Sequence, residues 1–250
     1  MASVATGDWE TQKVLSPAAS TAGQREPPQR RLYLVAGLSG FAFVLLWVGP
    51  LFAFSLGPSP NTGPRDVAAY YAQHESVLLR IQYLRALATV FMLVFLAGLW
   101  DLLRRVDARA SAPATGVVAA GATAAALGLV LYAARSSIAL NAAQLQDPAV
   151  VQTIRDLTNA LDAFSSLPVA VLVGLTSWIL LATRGAARRI GQAGVVVAAL
   201  LLVLSSATAG IVSLRPLGAA GFLLSALWLA ALSLLLFVHG VAGKPIAGPR

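Results

Sequence analysis

PRDVAAYYAQHESVLLRIQYLRALATVFMLVFLAGLWDLLRR, residues Pro64–Arg105, is the stretch whose reading decides the fold. From Val77 to Leu103 it is almost continuously apolar. At about 1.5 Å per helical residue, that run is long enough to cross the ~30 Å hydrocarbon core of a bilayer. Two arginines, Arg80 and Arg85, interrupt it. An arginine inside hydrocarbon costs at least ~2.5 kcal/mol when nothing supports it. The stretch therefore predicts a spanning helix together with a place where its charges are met.

The rest of the chain agrees with a membrane protein. Of 250 residues, 58% are hydrophobic and 11% charged, with mean hydropathy +0.76. Soluble domains are about a quarter charged, and several long apolar runs in series do not fit a soluble core. The net charge of +8 does not indicate nucleic acid, because the basic residues sit singly or in short groups beside apolar runs. There is no cysteine and only two histidines, His74 and His239, which leaves no thiol chemistry and no histidine metal cage. The preference for arginine over lysine, with abundant alanine, glycine, valine and leucine, is the usage of a GC-rich bacterial genome.

Outward from the quoted stretch, residues 1–29 read as a disordered tail. Leu32 to Leu56 is the first span, with a kink expected at Gly49-Pro50. A Pro/Gly-rich turn leads to Pro64 and Asp66, a helix start, and Arg65 to Glu75 reads as a short amphipathic helix before the second span. Val117 to Leu140 is the third span, with Gly121, Ala125 and Gly128 spaced for close packing. Asp147-Pro148 repeats the start signal. Val150, Ile154, Leu157 and Leu161 then mark a second amphipathic helix, feeding a fourth span from Leu167 to Thr183 with Ser165 or Ser166 as cap and Pro168 in its first turn. Ile190 to Leu214 is the fifth span. A turn at Arg215-Pro216-Leu217-Gly218 leads to the sixth, Ala219 to Val241, and a short tail, 243–250, follows. The expectation is an all-α polytopic bundle of six transmembrane helices (30–242) with two short outer amphipathic helices.

Loop charge predicts the orientation. Lys13, Arg25, Arg30, Arg31, Arg104, Arg105, Arg109, Arg184, Arg188, Arg189, Lys244 and Arg250 fall on one side, against Arg65, Arg155 and Arg215 on the other. Positive-inside bias then puts both termini in the cytoplasm, in a bacterial inner membrane. With that orientation, the charges that interrupt the apolar runs lie on the outer side. Gln82, Arg85, Thr89 and Met92 form a narrow stripe on the second span, which should point into the bundle or a wet crevice. The candidate site comprises Arg80, Gln82, Arg85, Thr89, Arg135, Asp162 and Ser165, flanked by Asp66 and Glu75. Asp162 is expected to pair with Arg85 or Arg135, with Glu75 or Asp66 available to Arg80. Three readings stand: a structural ion-pair network, an anionic-ligand or lipid-headgroup site, and arginines snorkelling without partners.

Elsewhere, Asp101 is placed to pair with Arg104 and Arg105, and His239 suits a helix C-terminus. His74 reads as an interfacial residue. Trp47, Trp100 and Trp178 read as interface anchors, while Trp228 is too central for that role. No nucleotide-loop, nucleophile-elbow or metalloprotease motif occurs. No cofactor, metal or catalytic residue is therefore assigned, and the bilayer is the one partner implied directly.

The order of a first span, a proline-rich turn and DVAAYYAQHESVLLRIQYLRALATVFMLVFLAGLWDLLRR resembles a group of actinobacterial six-helix membrane proteins of the domain-of-unknown-function type. The later stretch ALDAFSSLPVAVLVGLTSWILLATRGAARRIGQAGVVVAALLLV is similar to the same group. The resemblance implies a shared six-helix fold and carries over no catalytic residue. Function is expected to be a non-enzymatic binding or structural module. A small-solute permease is the alternative and a membrane-embedded enzyme the third possibility.

Overall fold

A computed structural model describes residues 27–53, 62–106, 110–141, 148–208 and 215–242. These form seven helices: α1 (Pro27–Ala53), α2 (Pro64–Gln73), α3 (Glu75–Val106), α4 (Ser111–Asn141), α5 (Pro148–Leu181), α6 (Ala186–Thr208) and α7 (Arg215–Ala242). All but α2 are long and apolar enough to cross a membrane. The chain is a multi-pass, all-α membrane protein.

The six spans pack in chain order as a ring. Each contacts the next, and α7 closes back on α1. Among side chains, Leu38, Leu45, Val90, Val130, Trp178 and Leu227 point outward, as a lipid-facing belt requires. Lipid tails are as apolar as leucine, so burial alone does not hold such helices together; close van der Waals packing does. The α1–α7 closure depends on Gly37, where an added Cβ would lie 2.8 Å from the Phe237 backbone nitrogen. Of the three small residues noted on α4, Gly121 and Ala125 are buried, and Gly121 faces Leu96 and Leu172. Gly128 meets only Tyr132 of its own helix.

Polar side chains tie the ring at the end where residues 27 and 242 lie. The Arg30 Nε donates to the Gly240 carbonyl at 3.1 Å, meeting one of the acceptors that a helix C-terminus leaves without an intrahelical partner. Tyr33 donates its hydroxyl to Asp101 Oδ2 at 2.8 Å, and Arg105 holds both oxygens of that carboxylate at 2.9 and 3.2 Å. Asp101 thus pairs with Arg105, while Arg104 lies over the Trp100 ring. His239 packs against Tyr33, ring centroids 5.4 Å apart.

The boundaries differ from the sequence reading in informative ways. The second amphipathic segment is present, but it is not a separate helix. α5 runs unbroken from Pro148 to Leu181, with Pro168 in its interior. A proline there removes one backbone donor and does not force a start. Just before it, Ser165 and Ser166 donate to the carbonyls of Asp162 and Ala163, at 2.7 and 2.5 Å, instead of capping a new helix. Likewise Arg215 to Gly218 is the first turn of α7 rather than a loop, since proline is tolerated in a first turn. Pro50 sits inside α1. Pro27 to Gln29, read as tail, opens α1, while 1–26 and 243–250 lie outside the described residues.

Candidate functional site

The site is built at the end of the bundle that carries α2. α2 is amphipathic, begins with proline at its first position and has Asp66 in its first turn, favourable to the positive end of a helix dipole. It ends at His74, whose backbone N–H donates to the Tyr70 carbonyl at 3.1 Å, and whose Nδ1 lies 2.9 Å from the same oxygen. The His74 ring also stacks on Tyr70, at 4.4 Å. One residue of non-helical backbone therefore redirects the chain from α2 into α3. α2 then lies across α4 and α5. Val67 is completely buried there against Ile138 and Val151, with Tyr71 and Ile154 at the margin. Sealing a valine from water in this way contributes roughly 1.5–3 kcal/mol, which holds α2 down as a cap.

Beneath α2, three long helices bring charge together. Arg135 of α4 donates through Nη2 to Asp162 Oδ2 of α5 at 3.2 Å; the Arg135 side chain is 19% exposed and that of Asp162 59%. Of the two partners the sequence offered to Asp162, the fold selects Arg135. Arg85 of α3 is half-buried and in the field of Arg135, Tyr132 and Asp162. Its Nε is sealed from solvent and has no hydrogen-bond partner among the described residues. Among the described residues no carboxylate forms an ion pair with this guanidinium. Tyr132 lies in the field of Arg85, Asp162 and Arg135, with the Trp47 side chain of α1 close by. Above them, burial pushes the phenol of Tyr71, on α2 itself, above its ordinary value of 10.0, an effect partly offset by Arg135 and Arg155.

The α3 stripe faces inward as its spacing implies. Gln82, Thr89 and Met92 are buried on one face with Arg85. Thr89 returns its hydroxyl to the Arg85 carbonyl at 3.2 Å, while Gln82 Oε1 is a second sealed atom without a partner. Below Met92 the same face becomes wholly apolar, with Phe95, Leu96, Leu99 and Leu103 all buried.

Depth follows from helix geometry. If Trp100 marks one boundary, as its reading as an interface anchor implies, a ~30 Å hydrocarbon thickness of about 20 residues reaches back to Arg80. Arg85 then lies roughly 7 Å inside that boundary.

Not every candidate joins the cluster. Arg80 is exposed, near the likewise exposed Tyr83, and forms no ion pair with Glu75 or Asp66 among the described residues. Five positions apart on a helix is a rotation of about 140°, so Arg80 and Arg85 face different surroundings. Ser165 is occupied by its bond within α5. Glu75 opens α3 and Asp66 opens α2 as first-turn acids. Three residues join that were not among the site candidates: Tyr71, which helical spacing placed on the amphipathic helix, Tyr132 and Arg155. Arg155 is buried near Tyr71, and its carbonyl accepts the Thr158 hydroxyl at 2.8 Å. A usable signal existed for it, because Arg155 and Asp162 are seven residues apart and so share a helix face.

The arrangement can bind an anion: two arginines, one carboxylate and phenolic hydroxyls under an amphipathic cap. It assembles no nucleophile with a base, and no group of metal ligands occurs among the described residues. Comparison with protein-family models, curated proteins and solved structures finds no match to the chain.

Proposed function

We propose that this protein is a non-enzymatic binding module of a bacterial inner membrane, with both termini cytoplasmic and an outward-facing site that receives one anionic group. The site lies among α3, α4 and α5 beneath α2. The observation that carries this reading is the Arg85 guanidinium, whose sealed Nε has no hydrogen-bond partner among the described residues while its neighbour Arg135 takes the Asp162 carboxylate. Buried charges are ordinarily paired, and an unpaired ionisable group at membrane depth marks a functional site by default. The outward orientation is supported by the loop-charge asymmetry. The likeness to actinobacterial six-helix membrane proteins accords with the bacterial setting. A permease is less well supported, because the buried face of α3 below Met92 offers no polar path.

The test is binding by the full chain solubilised in a maltoside detergent. Phosphatidylethanol, an anionic lipid, should raise the unfolding temperature, and zwitterionic phosphatidylcholine should not. Arg85→Met should abolish the difference. Equal responses to both lipids in the unaltered protein refute an anion site.

A further inference from the structure

Two sealed polar atoms on α3 have opposite hydrogen-bonding character. Arg85 Nε–H is a cationic donor, and Gln82 Oε1 is a neutral acceptor; neither has a partner among the described residues. Gln82 is 6% exposed. Three positions separate the two, about one helical turn, so they lie on one face roughly 4.5 Å apart along the axis. A bare anion satisfies Arg85 and leaves Gln82 Oε1 unmet. A ligand that carries a hydroxyl close to its anionic oxygens satisfies both.

The charge of the ligand follows from the cluster. Arg85 with the Arg135–Asp162 pair carries one net positive charge, which a monoanion neutralises; Arg155 stands apart from Arg85, against Tyr71, and is engaged by an interaction of its own. A phosphate monoester carries nearly two negative charges at neutral pH, whereas a phosphodiester carries one. The guanidinium fork suits phosphate oxygens. Arg85 also lies about 7 Å below the hydrocarbon boundary, within reach of a lipid's own phosphodiester when the side chain extends outward.

We infer that the site takes a hydroxyl-bearing phosphodiester, its phosphate on Arg85 and its hydroxyl donated to Gln82 Oε1. A phosphatidylglycerol headgroup and a soluble glycerophosphodiester share this chemistry. The inference rests on the anion-binding reading above and narrows it.

The experiment measures the affinity of the full chain in maltoside detergent for four probes. These are short-chain phosphatidylglycerol, short-chain phosphatidylethanol (the same phosphodiester without a headgroup hydroxyl), soluble glycerophosphoglycerol, and glycerate. Phosphatidylglycerol should bind about tenfold more tightly than phosphatidylethanol, the equivalent of one net hydrogen bond. Gln82→Leu should reduce that preference to less than about twofold while leaving phosphatidylethanol affinity in place; Gln82→Met serves if the leucine variant does not fold. Binding of glycerophosphoglycerol as tight as that of the lipid identifies an aqueous source, and binding of the lipid alone a membrane source; either supports the ligand class. Equal affinity for both lipids, or a preference that survives both Gln82 variants, overturns the hydroxyl assignment. Tighter binding of glycerate than of the phosphodiesters overturns the phosphate assignment. Should none of the three phosphodiesters bind and Arg85→Met leave every probe unchanged, the anion-binding reading itself falls.

Discussion

Replacing Arg85 with methionine should make the ligand-free protein more stable. Methionine keeps an unbranched stem of similar reach, so the packing of the Arg85 side chain is largely retained while its charge is removed. The gain is the cost of holding an unpartnered cationic donor away from water. That cost is ~1–3 kcal/mol for a buried unsatisfied group, and ~2.5–3.5 kcal/mol for arginine at a bilayer centre. Arg85 is only half-buried and well away from the middle of its span, so ~1–2 kcal/mol is the reasonable figure. Arg135→Met is the contrasting change. It breaks the pair with Asp162, whose side chain is 59% exposed, and should cost less than ~1 kcal/mol. Both values can be read from reversible unfolding in mixed maltoside and dodecyl sulfate micelles. If Arg85→Met instead destabilises the fold by about 1 kcal/mol or more, Arg85 is a structural clamp, and the argument for a ligand loses its basis.

Three further outcomes are expected. Val67→Ala removes two methyl groups from a completely buried seat, and should loosen α2 by roughly 1.5–2.5 kcal/mol; this is seen as faster amide exchange in 64–73 with the spans unaffected. Gly37→Val drives a side chain into the Phe237 backbone and should cost about 1–3 kcal/mol, measurable in the same micelle unfolding assay. Tyr71 has its pKa raised from 10.0 by burial, so above pH 10 the unfolded chain releases a proton that the folded chain retains. Stability should therefore fall as pH rises from 10 through the folded value, and Tyr71→Phe should remove that component of an alkaline unfolding profile.

The spans were legible because each is a long apolar run, broken by few charges and bounded by arginine or proline, the strongest signal a sequence offers. Proline was ambiguous. Pro64 starts a helix, whereas Pro168 lies within one, and the two look alike in sequence. What separates them is whether neighbouring hydroxyls and packed helices accommodate the missing donor, a tertiary matter. The inward stripe Gln82, Arg85, Thr89 follows from helical spacing alone. That Asp162 closes on Arg135 rather than Arg85 does not, because it depends on the relative axial positions of α3, α4 and α5. Arg155 read as an ordinary loop charge for the same reason: α5 begins earlier than its apolar core, which converts a connection into a buried helix face.

A ring of six helices must close at six seams, and among the described residues the α6–α7 seam is the slimmest. A tryptophan helps to fasten it. The Trp228 indole donates to the Ile190 carbonyl at 2.9 Å, and reaches it because Gly194 leaves room; an added Cβ there would lie 2.5 Å from the indole nitrogen. A closed ring gives every helix two neighbours, and opening one seam turns it into a strip with two free edges. Mechanical load drawn through the C-terminus should meet the α1 border first, where Arg30 holds the Gly240 carbonyl, and the Trp228 indole further along α7. Once both yield, α7 retains only its slight border with α3, and the chain unzips from the end inward instead of giving way all at once.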